Sequence, residues 1–271
     1  MEQVMECRYK NNKKIEVRCK DSQKILPLFM ISVLLLSIIS LFILNVDWLK
    51  LFSRVPEIGV VFYKLALFNF DKFDLIFSSF FETVSITLLS TFYSLILGLF
   101  FGMLAAQNVF RIKILSTFIK CFFTFLRAVP TPVWVLLMLV CLGFGPSAGI
   151  AGLCVHTTAF FTKSFSQSFE DIANDTIEAL EASGASKIQI FISAILPSSF
   201  TQIIAWLGMR FEINFAECAI LGMVGAGGIG YVISSSLQSY DYGTAGLAIL
   251  LVFLFAIIIE RFFVILKKKL K

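Results

Sequence analysis

Long apolar runs separated by short polar ones dominate this chain, and their lengths suit helices that cross a membrane. A helix needs ~20 mainly apolar residues to traverse the hydrocarbon core. Ile25 to Leu44 is the first such run. It exceeds the ~7–15 residues of a signal-peptide core, and no A-x-A-like site follows, so it reads as a retained helix. The second run is Thr83 to Ala106. The third, Leu115 to Leu142, is interrupted by Arg127, Pro130 and Pro132. Each proline removes a backbone donor and crowds the preceding turn, so a kink or break is expected there. A fourth run extends from near Ala148 to Phe165, a fifth from Ile188 to Leu207 and a sixth from Thr244 to Leu266. Ile220 to Ile233 is apolar but too rich in glycine to read as a simple span. The expected fold is therefore an all-α membrane protein of about six transmembrane helices. It divides into a basic tail (1–24), a first transmembrane helix (25–45), an external interfacial segment (46–79) and a helical core (80–271) with a polar loop at 164–187.

Composition agrees with lipid as the main solvent. Apolar residues make up 58% of the 271 positions and charged residues 15%, against roughly 25% charged in an average soluble domain. The net charge of +5 comes from the tails and short loops, not from one face interleaved with aromatics. That pattern fits a membrane surface and argues against nucleic acid. Arg8, Lys10, Lys13, Lys14, Arg18, Lys20 and Lys24 precede the first run, and Arg261, Lys267, Lys268, Lys269 and Lys271 end the last. Both tails are expected in the cytoplasm, which requires an even number of spans. The loop with Arg111 and Lys113 and the loop at 164–187 then fall on the same side. Asn45 to Glu82 lies outside, where mixed charges together with Trp48, Phe52, Val60, Phe62, Tyr63 and Leu67 suggest an interfacial helix.

Few residues carry recognisable chemistry. The six cysteines (Cys7, Cys19, Cys121, Cys141, Cys154 and Cys218) form no CxxC pair and mostly read as small buried apolar residues. No metal site or cofactor is expected. His156 is the single histidine, expected to be satisfied by a nearby hydroxyl or carbonyl. Gly98 and Gly102 form a GxxxG pair, which fits either a close helix contact or a plain lipid-facing helix. Gly225-Ala226-Gly227-Gly228-Ile229-Gly230 satisfies GxGxxG. A dinucleotide site would also need a βαβ unit and an acid ~20 residues on. The nearest acid is Asp241, between membrane runs, so this glycine-dense backbone is read as allowing close packing or bending near a gate.

The loop from Ser164 to Lys187 is the most polar internal segment. Asp175 followed by Glu178 fits a helix N-cap and its partner at the third position. Ile177, Leu180, Gly184 and Ile188 then recur on one helical face, apolar and flattened at the glycine. The segment fits a short amphipathic helix that docks on another protein, or equally a solvated connector that packs on its own bundle. Glu178-Ala179-Leu180, then Gly184, then Leu196-Pro197 resembles the EAA loop of ABC importer permeases. Leu180 replaces the second alanine of that pattern and Ala194 its isoleucine, both with apolar residues.

The resemblance extends along roughly residues 80 to 266. Arg127 to Trp134, Gly143-Phe144-Gly145-Pro146, Arg210-Phe211-Glu212-Ile213-Asn214 and Val224 to Gly230 are similar to permeases of the phosphonate importer family. This implies a methionine-importer-like permease bundle with a cytoplasmic coupling helix. It also implies a separate ABC ATPase subunit dimer, an extracytoplasmic substrate-binding protein and a second permease copy, identical or related. Glu178, Ala179, Leu180, Gly184, Leu196 and Pro197 would couple to the ATPase. Arg127, Pro130, Arg210, Glu212, Asn214 and Glu217, with Gly225, Gly227, Gly228 and Gly230, are candidates for the translocation pathway or gate. Ionisable groups inside apolar segments are costly and usually face a partner or an aqueous path, and arginine offers a planar donor fork to a phosphorus oxyanion. The alternative is an internal ion pair, Arg210 with Glu212 or Glu217, that only positions helices. The chain has no GxxxxGK[ST], so ATP hydrolysis would belong to the partner. An importer of another solute such as methionine remains the alternative within transport. An ion-coupled secondary transporter would call for paired repeats and midplane acids, and a membrane enzyme for clustered catalytic groups; the sequence has neither.

Overall fold

A computed structural model describes residues 22–44 and 47–269. The basic tail through Asp21, with Cys7 and Cys19, lies outside the described residues, as do Asn45, Val46, Leu270 and Lys271. Every regular element among the described residues is helical. The described residues fall into two compact units that divide between Gly59 and Val60.

In the first unit, α1 (Ser22–Leu44) is a single apolar helix whose side chains from Ile25 on are exposed. That suits a helix solvated by lipid. α2 (Trp48–Ala66) begins in this unit with Lys50 paired to Asp47 at 2.9 Å.

The second unit carries the remaining elements. α3 (Phe73–Ala105) starts well ahead of residue 80, where the core was expected to begin. It is followed by the short α4 (Gln107–Phe110) and by α5 (Lys113–Ala128) and α6 (Thr131–Leu142), which meet at 86°. This is the break expected at the prolines. Pro130 caps α6 with φ −58°, and Pro132 lies in the first turn, where a missing N–H costs nothing. α7 (Pro146–Glu170), α8 (Asn174–Ala182) and α9 (Lys187–Ile190) come next. α9 continues through a π-helical turn at Phe191–Ile195 into α10 (Leu196–Leu221), and a second π-helical turn, Gly222–Ala226, follows. The widened turn before Pro197 lets Leu196 N–H donate to Phe191 O, which makes room for a ring that cannot continue the ordinary ladder. α11 (Ile229–Gln238) and α12 (Tyr242–Lys269) complete the chain.

Four described helices are long and apolar enough to cross a membrane, or five if the bent α5–α6 pair is one span. α7 is long enough at 25 residues, about 37 Å, but is more polar than these. Its position explains why. It packs most extensively on α3 and also contacts α5, α6 and α10. Thr157, Thr162, Phe161, Phe165 and Phe169 are fully buried on it. A helix enclosed by protein needs small residues for close approach more than it needs lipophilicity. Gly98 and Gly102 of α3 lie against Phe161 and Phe165 of α7, so the GxxxG pair serves a helix contact and not a lipid-facing surface.

One apolar cluster joins Phe161, Phe165 and Phe169 of α7 to Ile177 of α8 and to Ile190, Phe191 and Ile195. A second joins Ile76 and Phe80 of α3 to Phe215, Ile229, Val232 and Leu247. A third joins Ile86, Val135, Leu139 and Leu153 to Cys218 and Leu221. Of the described cysteines only Cys218 is buried; Cys154 is half-buried, and Cys121 and Cys141 are exposed. The expectation of mostly buried cysteines is corrected, because α5 and α6 turn those two outward.

Candidate functional site: a polar cluster in mid-bundle and a short helix at one end

The expected capping pair of α8 is not what starts the helix. α8 begins at Asn174 with Ala173 as its N-cap and no side-chain cap, while Asp175 lies inside the first turn. There its charge still complements the positive helix end. The apolar face is also corrected. Ile177 is 2% exposed and packs with Leu180 on the chain's own core. Gly184 and Ile188 are exposed and belong to the following turn and to α9. The period fails because Gly184, at φ +86°, ends the helix. Gly184 N–H donates to Glu181 O at 2.9 Å and Ala185 N–H to Leu180 O at 3.2 Å, which satisfies the final carbonyls in the Schellman arrangement. The outward surface of α8 is then acidic and small: Asp175, Glu178, Ala179, Ala182 and Gly184.

Sequence reasoning missed what holds this segment. Ser186 and Gln189 form a reciprocal capping box on α9, with Ser186 N–H donating to Gln189 Oε1 at 2.8 Å and Gln189 N–H to Ser186 Oγ at 3.4 Å. The S-x-x-Q spacing carried that signal. Arg111, in the left-handed region at φ +54°, pairs with Glu181 at 3.1 Å. Lys187 donates to Phe110 O at 3.3 Å. Glu170 accepts from Lys120 at 2.7 Å and from Gln107 N–H at 2.8 Å. A polar recess of about 360 Å³ lies there, lined by Gln107, Asn108, Arg111, Glu170, Asn174 and Glu178. Leu196 packs on the same core, and Pro197 opens α10.

In mid-bundle, Arg210 is 3% exposed. Its Nε donates to Thr157 Oγ1 at 3.2 Å, and its Nη2 reaches His156 Nδ1 at 3.0 Å and Glu217 Oε2 at 3.1 Å. Thr157 donates in turn to Asn214 Oδ1 at 2.9 Å, and Asn214 Nδ2 donates to Thr91 Oγ1 at 3.0 Å. The chain links α10, α7 and α3 with donors matched to acceptors, which a buried charge requires. Arginine is always a donor, so His156 Nδ1 accepts and its ring proton sits on Nε2. The histidine's partner is thus a guanidinium, not the expected hydroxyl or carbonyl. Of the two carboxylates considered for Arg210, Glu217 makes the pair. Glu212 is exposed and stands outside the cluster. Arg127 is exposed at the end of α5, with its guanidinium 5.5 Å from the centre of the Phe160 ring. Phe160 was not singled out by sequence, because one phenylalanine among 31 gives no signal.

The glycine segment lies toward the other end of the bundle. Gly225, Gly227 and Gly228 all have positive φ. Phe144 packs where a side chain on Gly225 would stand, and Gly145 N–H donates to Gly225 O at 3.1 Å. Gly230 packs on the Ala219 carbonyl. Gly228 N–H donates to Glu82 at 3.1 Å and Ile229 N–H to Thr83 Oγ1 at 2.8 Å. Two side chains of α3 therefore cap the start of α11, and only glycine lets the backbone approach so closely. Pro130 stands apart, at the α5–α6 bend.

A helical bundle with a short helix clasped at one end and a charged, hydrogen-bonded interior suits a transport permease, and comparison with known proteins agrees. Residues 98–271 match the family of binding-protein-dependent transport system inner membrane components, and the chain belongs to that family. It is 29% identical over 221 residues to the phosphate-import permease protein PhnE of Mycolicibacterium smegmatis, covering 81% of this chain and 41% of that one. It is 26% identical over 190 residues to the phosphite transport system permease protein PtxC of Stutzerimonas stutzeri, covering 70% and 69%. The match thus spans about two fifths of the length of the mycobacterial relative. An inward-facing structure of the MetNI methionine ABC transporter superposes with a TM-score of 0.66 at 21% identity, covering 75% of this chain and 99% of that one, which is a likeness of fold.

Proposed function

We propose that this chain is the permease subunit of an ATP-driven importer of phosphonates or related phosphorus oxyanions, placed in the cell membrane with both termini in the cytoplasm. α8 is the coupling helix. The carrying observation is the division of its two faces. Ile177 and Leu180 anchor it to the bundle, while Glu178, Ala179 and Gly184 face outward, and Glu178 has no ion-pair partner among the described residues. An acidic, close-approach surface held rigidly at one end of a transport bundle suits docking on a separate ATPase. A pair of ATPase subunits, an extracytoplasmic binding protein and a second permease copy complete the assembly. Gly184 acts as the stop that sets the angle of the following turn, and Leu196-Pro197 carries motion into α10. The oxyanion substrate is supported by the phosphate and phosphite permeases among the relatives and by the arginines of the bundle.

The test is uptake of labelled methylphosphonate and phosphite in cells lacking the chain, then restored with wild type or Glu178→Lys. Wild type should restore uptake, with phosphate, phosphite and phosphonate competing and methionine not. Glu178→Lys should reach the membrane and fail to transport. Competition by methionine alone overturns the oxyanion assignment. Normal uptake by Glu178→Lys overturns the coupling role.

A further inference from the structure

Two guanidinium groups converge on one phenyl ring near the middle of the bundle. Cζ of Arg127 is 5.5 Å and Cζ of Arg210 is 5.7 Å from the centre of Phe160. The two are not equivalent. Arg210 is buried, and its donors are committed to Thr157, His156 and Glu217. Arg127 stands at the 86° bend between α5 and α6, is exposed, and has no hydrogen-bonding or carboxylate partner among the described residues. Its one neighbour of note is the ring.

The local charges do not balance. Arg210 on α10 pairs with Glu217 and reaches His156 on α7, while Arg127 on α5 pairs with no carboxylate among the described residues. The next charged pair, Lys120 with Glu170, is internally matched. A cation at this depth is not left facing lipid; it faces water, a ligand or another charge. Contact with a ring face attracts the guanidinium without using its N–H groups, so the fork of Arg127 stays free for an acceptor. Fixed by the ring and unoccupied by protein acceptors, it offers parallel N–H donors to two oxygens of one tetrahedral group.

We propose that Arg127 contacts the phosphorus oxyanion in transit, and that Arg210 is a positioning residue. Resting on the oxyanion reading above, this divides the two arginines by role. Arg127 gives donors to the passing anion. Arg210 ties α7 to α10 and supplies a fixed positive potential beside it, part-compensated by Glu217 so that the anion is attracted and still released. Phe160 holds its guanidinium in place.

The experiment measures uptake of labelled phosphite and methylphosphonate by wild type, Arg127→Gln and Arg127→Lys, with co-purification of the ATPase subunit as the measure of assembly. Arg127→Gln is expected to assemble as wild type does and to lose maximal uptake on the order of tenfold, the scale of one lost charge-assisted contact. Its half-saturation should not move, because capture by the binding protein precedes this site. Arg127→Lys, which keeps the charge and loses the planar fork, should recover only part of the rate, so that charge and fork are read separately. Wild-type uptake together with unimpaired Arg127→Gln overturns this assignment alone. Failure of both variants to assemble overturns it too, by making Arg127 a subunit contact. Absence of any oxyanion uptake by wild type overturns the substrate reading and this inference with it.

Discussion

Gly98→Ala tests whether α3 and α7 are held by close packing. A Cβ built on Gly98 collides with Cβ of Phe161 and lies 3.4 Å from its Cγ. Phe161 has little room to retreat, being fully buried and stacked on Phe165 with ring centres 4.9 Å apart. At Gly102 the nearest atom, Cβ of Phe165, is at 3.0 Å, so the neighbour must give by only a few tenths of an ångström. Interiors compress poorly, and an added methyl in a filled space costs about 1–3 kcal/mol. Replacing glycine by alanine within a helix returns about 1 kcal/mol. At a contact as close as that of Gly98 the methyl costs the upper part of that range, about 2–3 kcal/mol, so Gly98→Ala should destabilise by a net of about 1–2 kcal/mol, and Gly102→Ala should be close to neutral. Thermal unfolding of the purified protein in detergent, followed by near-ultraviolet circular dichroism, measures the difference. A Gly98→Ala variant as stable as wild type, or a Gly102→Ala variant less stable than Gly98→Ala, refutes the packing argument.

Two further outcomes are expected. Arg111→Glu and Glu181→Arg should each lower ATPase stimulation by the loaded binding protein, and the double exchange should restore it. The side chains are 52% and 29% exposed, so an effect of about 1.5- to 5-fold is the expected scale; a double variant no better than the singles removes the clasp from the coupling route. At the other end of the bundle, Lys72 and Thr244 hydrogen bond to Asp241 and hold its carboxyl below the usual 3.8. A carboxyl depressed in the folded state contributes stability above its unfolded pKa and loses it as pH falls through the folded one. Acidification below about pH 4 should weaken the attachment of α12 to the start of α3 in wild type, and Asp241→Asn should lack that component. Identical acid-unfolding curves for the two proteins would show that the tie carries nothing.

Much of this protein was legible in its sequence because lipid imposes a simple rule. Lipid-facing helices must be apolar along their whole length, so the runs at Ile25–Leu44 and Thr244–Leu266 reported their helices directly. Pro130 and Pro132 likewise specified a break, since a missing donor acts locally. Tertiary structure decided what depends on which surface meets protein. The face of α8 turned inward because Gly184 ended the helix and Ile177 found a core to fill. α7 became the central helix despite its polarity, because its small and polar residues meet protein and not lipid, Gly152 against Val135 of α6 and Thr157 against Asn214 of α10 among them. Arg210 chose Glu217 over Glu212 because seven residues of α10 bring a side chain back to nearly the same face, whereas two carry it to the opposite side. Arg127 and Arg210 lie far apart in sequence, and only the packing of α5, α7 and α10 brought both to Phe160.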